Sequence, residues 1–130
     1  MMDGPIGQDS ADVIDPAVLP GLFARLGPRV AAELRHHLGV DLRATCAGLG
    51  AALGPPANLQ AVVRQMHVLA ALAGMAGATG LAARARTLMR AAQQGNAGIS
   101  ARMASDMLPR IDALVAFVAT CPPPADPPPR

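Results

Sequence analysis

His67 is the residue of this 130-residue sequence that is best suited to chemistry. A neutral imidazole nitrogen is a nucleophile near physiological pH and leaves readily from phosphorus, so a histidine can carry a phosphoryl group transiently. On a helix, most side chains one turn from His67 would be short and one would be a cation; they are Val63, Arg64, Ala70, Ala71 and Gly74. We therefore expect an imidazole that another protein can reach. The alternative is a surface histidine without a chemical role.

The segment around His67 is predicted to form an amphipathic helix that follows Asn58, whose side chain can cap the first turn. Apolar residues recur there at spacings of three and four, which is the pattern of one buried helical stripe. These residues are Leu59, Val62, Val63, Met66, Leu69 and Ala73. At about 100° per residue, His67 lies roughly 110° from the centre of the stripe. The imidazole is therefore expected on the flank of the helix and outside the core.

The residues that follow His67 resemble the signature of histidine-containing phosphotransfer (HPt) domains. In that family the phosphoacceptor is followed by leucine at plus two, lysine at plus three, glycine at plus four and a small residue at plus seven. Glycine and alanine follow at plus ten and eleven, before further spaced apolar residues. The matching positions are His67, Leu69, Gly74, Gly77, Ala78, Leu81, Ala85 and Leu88. Ala70 stands where the family usually has lysine, and Ala71 where it usually has glycine.

This resemblance implies that His67 accepts a phosphoryl group from a receiver-domain aspartate and passes it to a response regulator, as in a multistep two-component phosphorelay. The chain would then be a carrier and not an independent enzyme. The resemblance also implies that Mg²⁺ sits on the partner receiver domain, with no metal or cofactor on this chain. Partner docking is expected at positions around the histidine, namely Gln60, Val63, Val68, Ala70, Ala71 and Gly74.

The two departures from the HPt pattern affect the stabilisation of the phosphoryl group more than they affect partner docking. A lysine at position 70 would help to hold the phosphoryl charge, whereas alanine at position 71 is still small enough for a partner loop. Arg64, one turn before His67, is our candidate for the missing cation. Two other functions stay open: a docking module that regulates a receiver or kinase without carrying phosphate, and a helical scaffold or oligomerisation surface.

The composition of the chain predicts an all-α fold in a single domain. The chain has 28 alanines, neither Trp nor Tyr, and only Phe23 and Phe117 as aromatic residues, so helix formers dominate over strand formers. All eleven basic residues are arginines, and nine acids leave a net charge of +2. Since no aromatic residues alternate with these arginines, we expect no nucleic-acid surface of the stacking type.

We expect a cytoplasmic monomer that does not associate with membranes. The N-terminus is acidic and lacks the apolar run of a signal peptide. The longest apolar uncharged run covers residues 68–83, about 16 residues, and is short of the roughly 20 that a span needs. Cys46 and Cys121 have no metal-ligand spacing and are expected to be free thiols. The adjacent His36 and His37 point in different directions on a helix, which favours solvated side chains over a metal site.

Along the chain we predict a disordered tail at residues 1–12, a helical domain at residues 13–120 and a proline-rich disordered tail at residues 121–130. A short helix is expected to begin at Asp15-Pro16 and a long one after Gly27-Pro28. The long helix should bury the spaced residues Val30, Leu34, Leu38, Leu42, Cys46, Leu49 and Leu53.

Further along, Gly74 and Gly77 should separate the His67 helix from the next one, and Ser100 is the predicted cap of the last helix. Pro109 should kink that last helix or split it in two. Brief Gly and Pro turns between four long helices favour antiparallel neighbours. The prediction is an up-and-down antiparallel four-helix bundle with a short extra N-terminal helix.

Overall fold

The computed structural model describes residues 14–124. Within that range the chain forms five helices and no strand, which confirms the all-α prediction. The helices are α1 (Val18–Leu26), α2 (Pro28–Ala52), α3 (Leu59–Met75), α4 (Thr79–Gln93) and α5 (Ala97–Thr120). The predicted tail at residues 1–12 and most of the predicted tail at residues 121–130 lie outside the described residues. Cys121 itself is buried, and Pro123 and Pro124 are half-buried.

Side-chain caps explain where two of the helices begin. Asn58 precedes α3 and its Oδ1 accepts a hydrogen bond from the backbone N–H of Ala61 at 3.0 Å, so the predicted cap is confirmed. The predicted cap of the last helix is wrong. α5 begins four residues earlier than Ser100 would allow, because Asn96 Oδ1 accepts from the N–H of Ile99 at 3.0 Å. Ser100 is consequently buried in the first turn of that helix.

The long helices pack into a bundle around one core. α2 packs against both α3 and α5, α4 packs against the same two helices, and α1 lies on α2. Leucine, methionine and alanine side chains supply most of the buried residues, with the burial of apolar area as the main stabilising term. Phe23 of α1 is fully buried, so this short helix contributes to the same core as the others.

The buried face of α2 differs from the one that its large residues predict. Val30, expected in the core, is 47% exposed, whereas its neighbour Ala31 is fully buried. The buried residues of α2 also include small ones, at positions that large-residue spacing does not mark. They are Ala31, Gly39, Thr45 and Ala52, which alternate with Leu38, Leu42 and Leu49. Small side chains allow the backbones of neighbouring helices to approach closely, which places Val30 on the outer side.

Pro109 does not split α5, which runs without a break from Ala97 to Thr120. Both Pro109 and Ser105, whose carbonyl would accept the missing hydrogen bond, are exposed. Water can therefore satisfy the carbonyl that the proline leaves without a donor, and the helix tolerates the residue on its outer face.

The turn between α3 and α4 depends on Gly77, which has a φ of +86°. The carbonyl oxygen of Gly77 accepts a hydrogen bond from the backbone N–H of Asp15 at 3.0 Å. A Cβ at this position would lie 2.9 Å from the carbonyl oxygen of Asp15 and 2.9 Å from Cβ of Val18. Glycine is thus required both by the backbone conformation and by the close approach of the segment that leads into α1.

None of the five helices has both the length and the apolar character that crossing a membrane requires.

Candidate functional site

His67 lies on a continuous exposed strip of α3, which we call the His67 face. The residues of this face share exposure to solvent and lie on one side of the helix; they are Gln60, Arg64, His67, Val68, Ala71 and Gly74. The side chains of Val62, Met66, Leu69 and Ala73 form the opposite, fully buried side. The prediction that the imidazole lies outside the core is confirmed.

The other two predicted docking residues lie at the edges of the His67 face. Val63 and Ala70 are both half-buried and pack against the core. Ala71 is exposed, so a partner meets Ala71 before it meets Ala70. Gly74 has no atom within 4 Å of the place where a Cβ would stand, which leaves open space about two helical turns beyond His67.

Contacts of α3 with its neighbours fix the direction in which the His67 face points. The Gln65 side chain of α3 lies over Gly48 of α2, where an added Cβ would come within 2.5 Å of Gln65 Nε2. α3 also packs against α4, and the buried residues of these two helices and of the turn between them include Ala73, Ala76, Ala82 and Ala85. Side chains this small allow two helices to pack closely, so the buried side of α3 is held against its neighbours and the His67 face points to solvent.

The His67 face carries positive charge only. α3 contains no Asp or Glu, and its cation Arg64 is exposed. Across residues 14–124, neither Arg64 nor His67 makes a hydrogen bond or an ion pair with another side chain. Both groups are consequently available to an outside ligand, and no carboxylate of this helix competes for a phosphoryl group.

Two features of this surface were not anticipated from the sequence. Met75, at the end of α3, is 41% exposed and extends the apolar part of the face beyond Val68, which is 44% exposed. At the other end, a depression of about 390 Å³ is lined by Leu59, Gln60, Val63, Arg64 and the α4 residues Ala92 and Gln93. Helical periodicity beyond Val68 could have found Met75, whereas Ala92 and Gln93 join the surface only through the packing of α4 on α3.

The cysteines lie away from the His67 face, on the side of α2 and α5. Cys46 donates a hydrogen bond to Asp112 Oδ1 at 3.8 Å, and burial, followed by the Asp112 charge and this bond, raises the pKa of the Cys46 thiol. Burial also raises the pKa of the Cys121 thiol, against an opposing effect of Arg35. Neither thiol is in a disulfide.

The other two histidines lie together on α2. His36 and His37 are both exposed, and their ring centroids are 5.5 Å apart in an edge-on arrangement. In the part of the chain that the structure describes, no group of three His, Cys, Asp or Glu side chains could hold a metal ion. Of the three histidines, only His67 lies on the exposed face of α3.

Comparison of the chain with protein-family models, with curated proteins and with solved structures found no match.

Proposed function

We propose that this protein is a histidine phosphocarrier that accepts a phosphoryl group on His67 from a receiver-domain aspartate and passes it to a response regulator. The observation that carries the proposal is the position of His67 at the middle of an exposed, carboxylate-free helix face. A residue that must react alternately with two different proteins has to be reached from outside. The residues shared with HPt domains, from His67 to Leu88, support the same function.

The chemistry of this transfer is a simple displacement at phosphorus. The lone pair of a neutral imidazole nitrogen forms the new phosphorus–nitrogen bond, while the bond between phosphorus and the aspartate oxygen breaks and its electron pair stays on the carboxylate. Transfer to the next receiver reverses these steps. Mg²⁺ held by the receiver would neutralise phosphate charge, and this chain would supply an oriented nucleophile.

The path of the chain supports an up-and-down antiparallel arrangement of the four long helices as part of this proposal. The connections between them are short, covering residues 53–58, 76–78 and 94–96. Connections of this length favour antiparallel neighbours. In such a bundle α3 and α4 form the hairpin that displays His67. We further propose that the carrier works as a cytoplasmic monomer.

Arg64 is proposed to hold part of the negative charge of the phosphoryl group, in the absence of a lysine at position 70. It is exposed on the same face as the imidazole and one helical turn before it. Since the guanidinium remains charged at physiological pH, it can stabilise phosphate throughout that range. An Arg64→Ala variant should accept phosphate several-fold more slowly than the wild type. Unchanged transfer would show that Arg64 has no part in it.

A docking module without phosphotransfer is the second candidate function. Ala70 and Ala71 favour it, because the usual lysine is missing while the surface stays small and open. Such a protein would bind a receiver or kinase through the His67 face and regulate it by occupying its surface. The His67 side chain would then be dispensable for binding and for regulation.

The test is phosphate transfer from a panel of phosphorylated receiver domains to the wild type and to a His67→Gln variant. Acid-labile label on the wild type alone would establish the phosphocarrier. His37→Gln is the matched control, because His37 is exposed on α2 and lies outside the His67 face. A folded wild type that binds a receiver and takes no label would exclude the phosphocarrier and leave the docking module.

A further inference from the structure

We propose that a second surface of the protein binds a small soluble phosphate dianion, either inorganic phosphate or a phosphate monoester. This surface is a depression of about 230 Å³ between α2 and α5, which we call the α2–α5 depression. The residues that line it are Arg35, His36, Gly39, Arg43, Val115, Val118 and Ala119. α3 contributes none of them, so the site is separate from the His67 face.

The cationic groups of the depression gather around a glycine. Gly39 is buried in the middle of α2, and Nη1 and Nη2 of Arg43 lie 3.6 and 3.9 Å from the place of its missing Cβ. The Arg43 side chain therefore folds back along the helix so that its guanidinium lies beside Gly39. Arg35 is half-buried one turn before Gly39, and His36 adds ring nitrogens to the same rim.

Nothing in the described structure neutralises these cations. Neither Arg35 nor Arg43 forms an ion pair within residues 14–124, and no carboxylate lines the depression. The acids nearest along the two helices do not line the depression. Asp41 is exposed two residues before Arg43, Glu33 pairs with Arg29 at 3.8 Å, and Asp112 accepts from Cys46.

The chemistry of the lining favours phosphate over a monoanion. Two guanidinium groups supply two permanent positive charges and planar pairs of N–H donors, which suit the oxygens of a phosphate. Val115 and Val118 of α5 add apolar side chains to the lining of the same depression. Apolar surroundings lower the local dielectric and strengthen charge-assisted hydrogen bonds to a bound ion.

The experiment is a titration of the full chain with inorganic phosphate and with glycerol 3-phosphate, followed by NMR of the histidine rings. The chain has three histidines: His36 lines the depression with His37 beside it, whereas His67 lies on α3. At ionic strength matched with chloride, both ligands should shift the His36 resonances saturably and leave those of His67 in place. Arg43→Gln should weaken the binding about tenfold, the loss expected for one charge-assisted contact.

Arg102→Gln is the matched control, since it removes the same charge from an exposed position of α5 outside the depression. It should bind phosphate as the wild type does, whereas the double variant Arg35→Gln with Arg43→Gln should show no saturable shift. Three results would overturn the site: His36 shifts that do not saturate with phosphate, phosphate-dependent shifts of His67 in place of His36, and an equal loss of binding in Arg102→Gln and Arg43→Gln. Binding to vesicles containing phosphatidic acid, without a shift from soluble esters, would also overturn it.

This inference does not depend on the phosphocarrier proposal. Loss of phosphotransfer in the His67→Gln variant leaves the α2–α5 depression unchanged, and loss of phosphate binding in Arg43→Gln leaves the His67 face unchanged. Each proposal can therefore fail without the other.

Discussion

The His67 face and the α2–α5 depression contain the same kinds of groups, histidine and arginine, in opposite surroundings. On the His67 face a single helix presents the imidazole outward among small residues. In the depression, Arg35 and Arg43 lie in a recess that a second helix completes. A protruding nucleophile suits brief reaction with a large partner, whereas cations gathered in a recess suit retention of a small ion. The surrounding surface, more than the residue types, thus separates the two proposed functions.

The largest expected effect comes from replacing the histidine of each surface by glutamine, in two separate variants. His67→Gln should abolish phosphotransfer and leave phosphate binding intact, because it removes the only nucleophile of the His67 face. His36→Gln should leave phosphotransfer intact and weaken phosphate binding. Phosphotransfer assays and phosphate titrations of both variants check this reciprocity. If each variant impaired both activities, the two surfaces would not be independent.

A bulky residue on the His67 face should block partners and spare the fold. Ala71→Trp places an indole at an exposed position one turn from His67, where it would meet a docking protein. Receiver binding and phosphotransfer should both fall by about tenfold or more, because close approach of the reacting atoms is lost. Circular dichroism should show an unchanged melting temperature. Ala116→Trp, at an exposed position on α5, is the control and should transfer normally.

Gly39→Ala should raise the stability of the protein and weaken phosphate binding in the depression. The added methyl group would make ordinary contact with Arg43, so it fits without displacing the backbone. Alanine in place of a helical glycine should stabilise the protein by up to about 1 kcal/mol. The same methyl group occupies the floor of the proposed phosphate site and should weaken binding several-fold. Denaturant unfolding and phosphate titration test the two effects, and a fall in stability would contradict the described packing.

The smallest expected effect is a loss of folding stability at alkaline pH, caused by the two cysteines on the side of α2 and α5. The pKa values of Cys46 and Cys121 are raised in the folded protein, chiefly by burial, so the unfolded chain loses its thiol protons first. Stability should therefore be fully present below the ordinary thiol pKa of 9.0 and should fall as the pH rises through the higher folded values. The chain has neither Lys nor Tyr to titrate in the same range.

Melting temperatures between neutral pH and pH values above the ordinary thiol pKa would measure this loss. Cys46→Ser and Cys121→Ser variants should each show a smaller decline over the same range. A decline of unchanged size in the double variant would assign the effect to other groups.

Local signals in the sequence were sufficient to predict the surroundings of His67. The stripe of apolar residues defined the buried side of α3, and Asn58 marked its start. Of the two glycines predicted to end the helix, Gly77 lies just beyond its end and Gly74 lies inside its last turn. These signals depend on interactions within a few residues of the chain, which capping and periodicity describe well. The exposure of the imidazole followed from the same pattern.

Features that depend on other helices were not predictable in the same way. Val30 was predicted in the core because it is large and correctly spaced, yet it is exposed and its neighbour Ala31 is buried. The depression between α2 and α5 brings Arg43 and Val115 together, and no spacing in the sequence relates these positions. Ser100 looked like a cap because serine often serves as one, but Asn96 is also a capping residue and precedes it. Choosing between such alternatives requires the tertiary structure.

The protection of both native thiols makes the chain suitable for site-specific labelling. Because thiolate is the reactive form, raised pKa values at Cys46 and Cys121 slow their alkylation at neutral pH. A cysteine introduced at Gln94, which is exposed just after the end of α4 and lies outside the His67 face, would then be the fastest to react with a maleimide fluorophore. Such a probe, attached without removing either native cysteine and without covering the docking residues, would report the arrival and departure of a partner in real time.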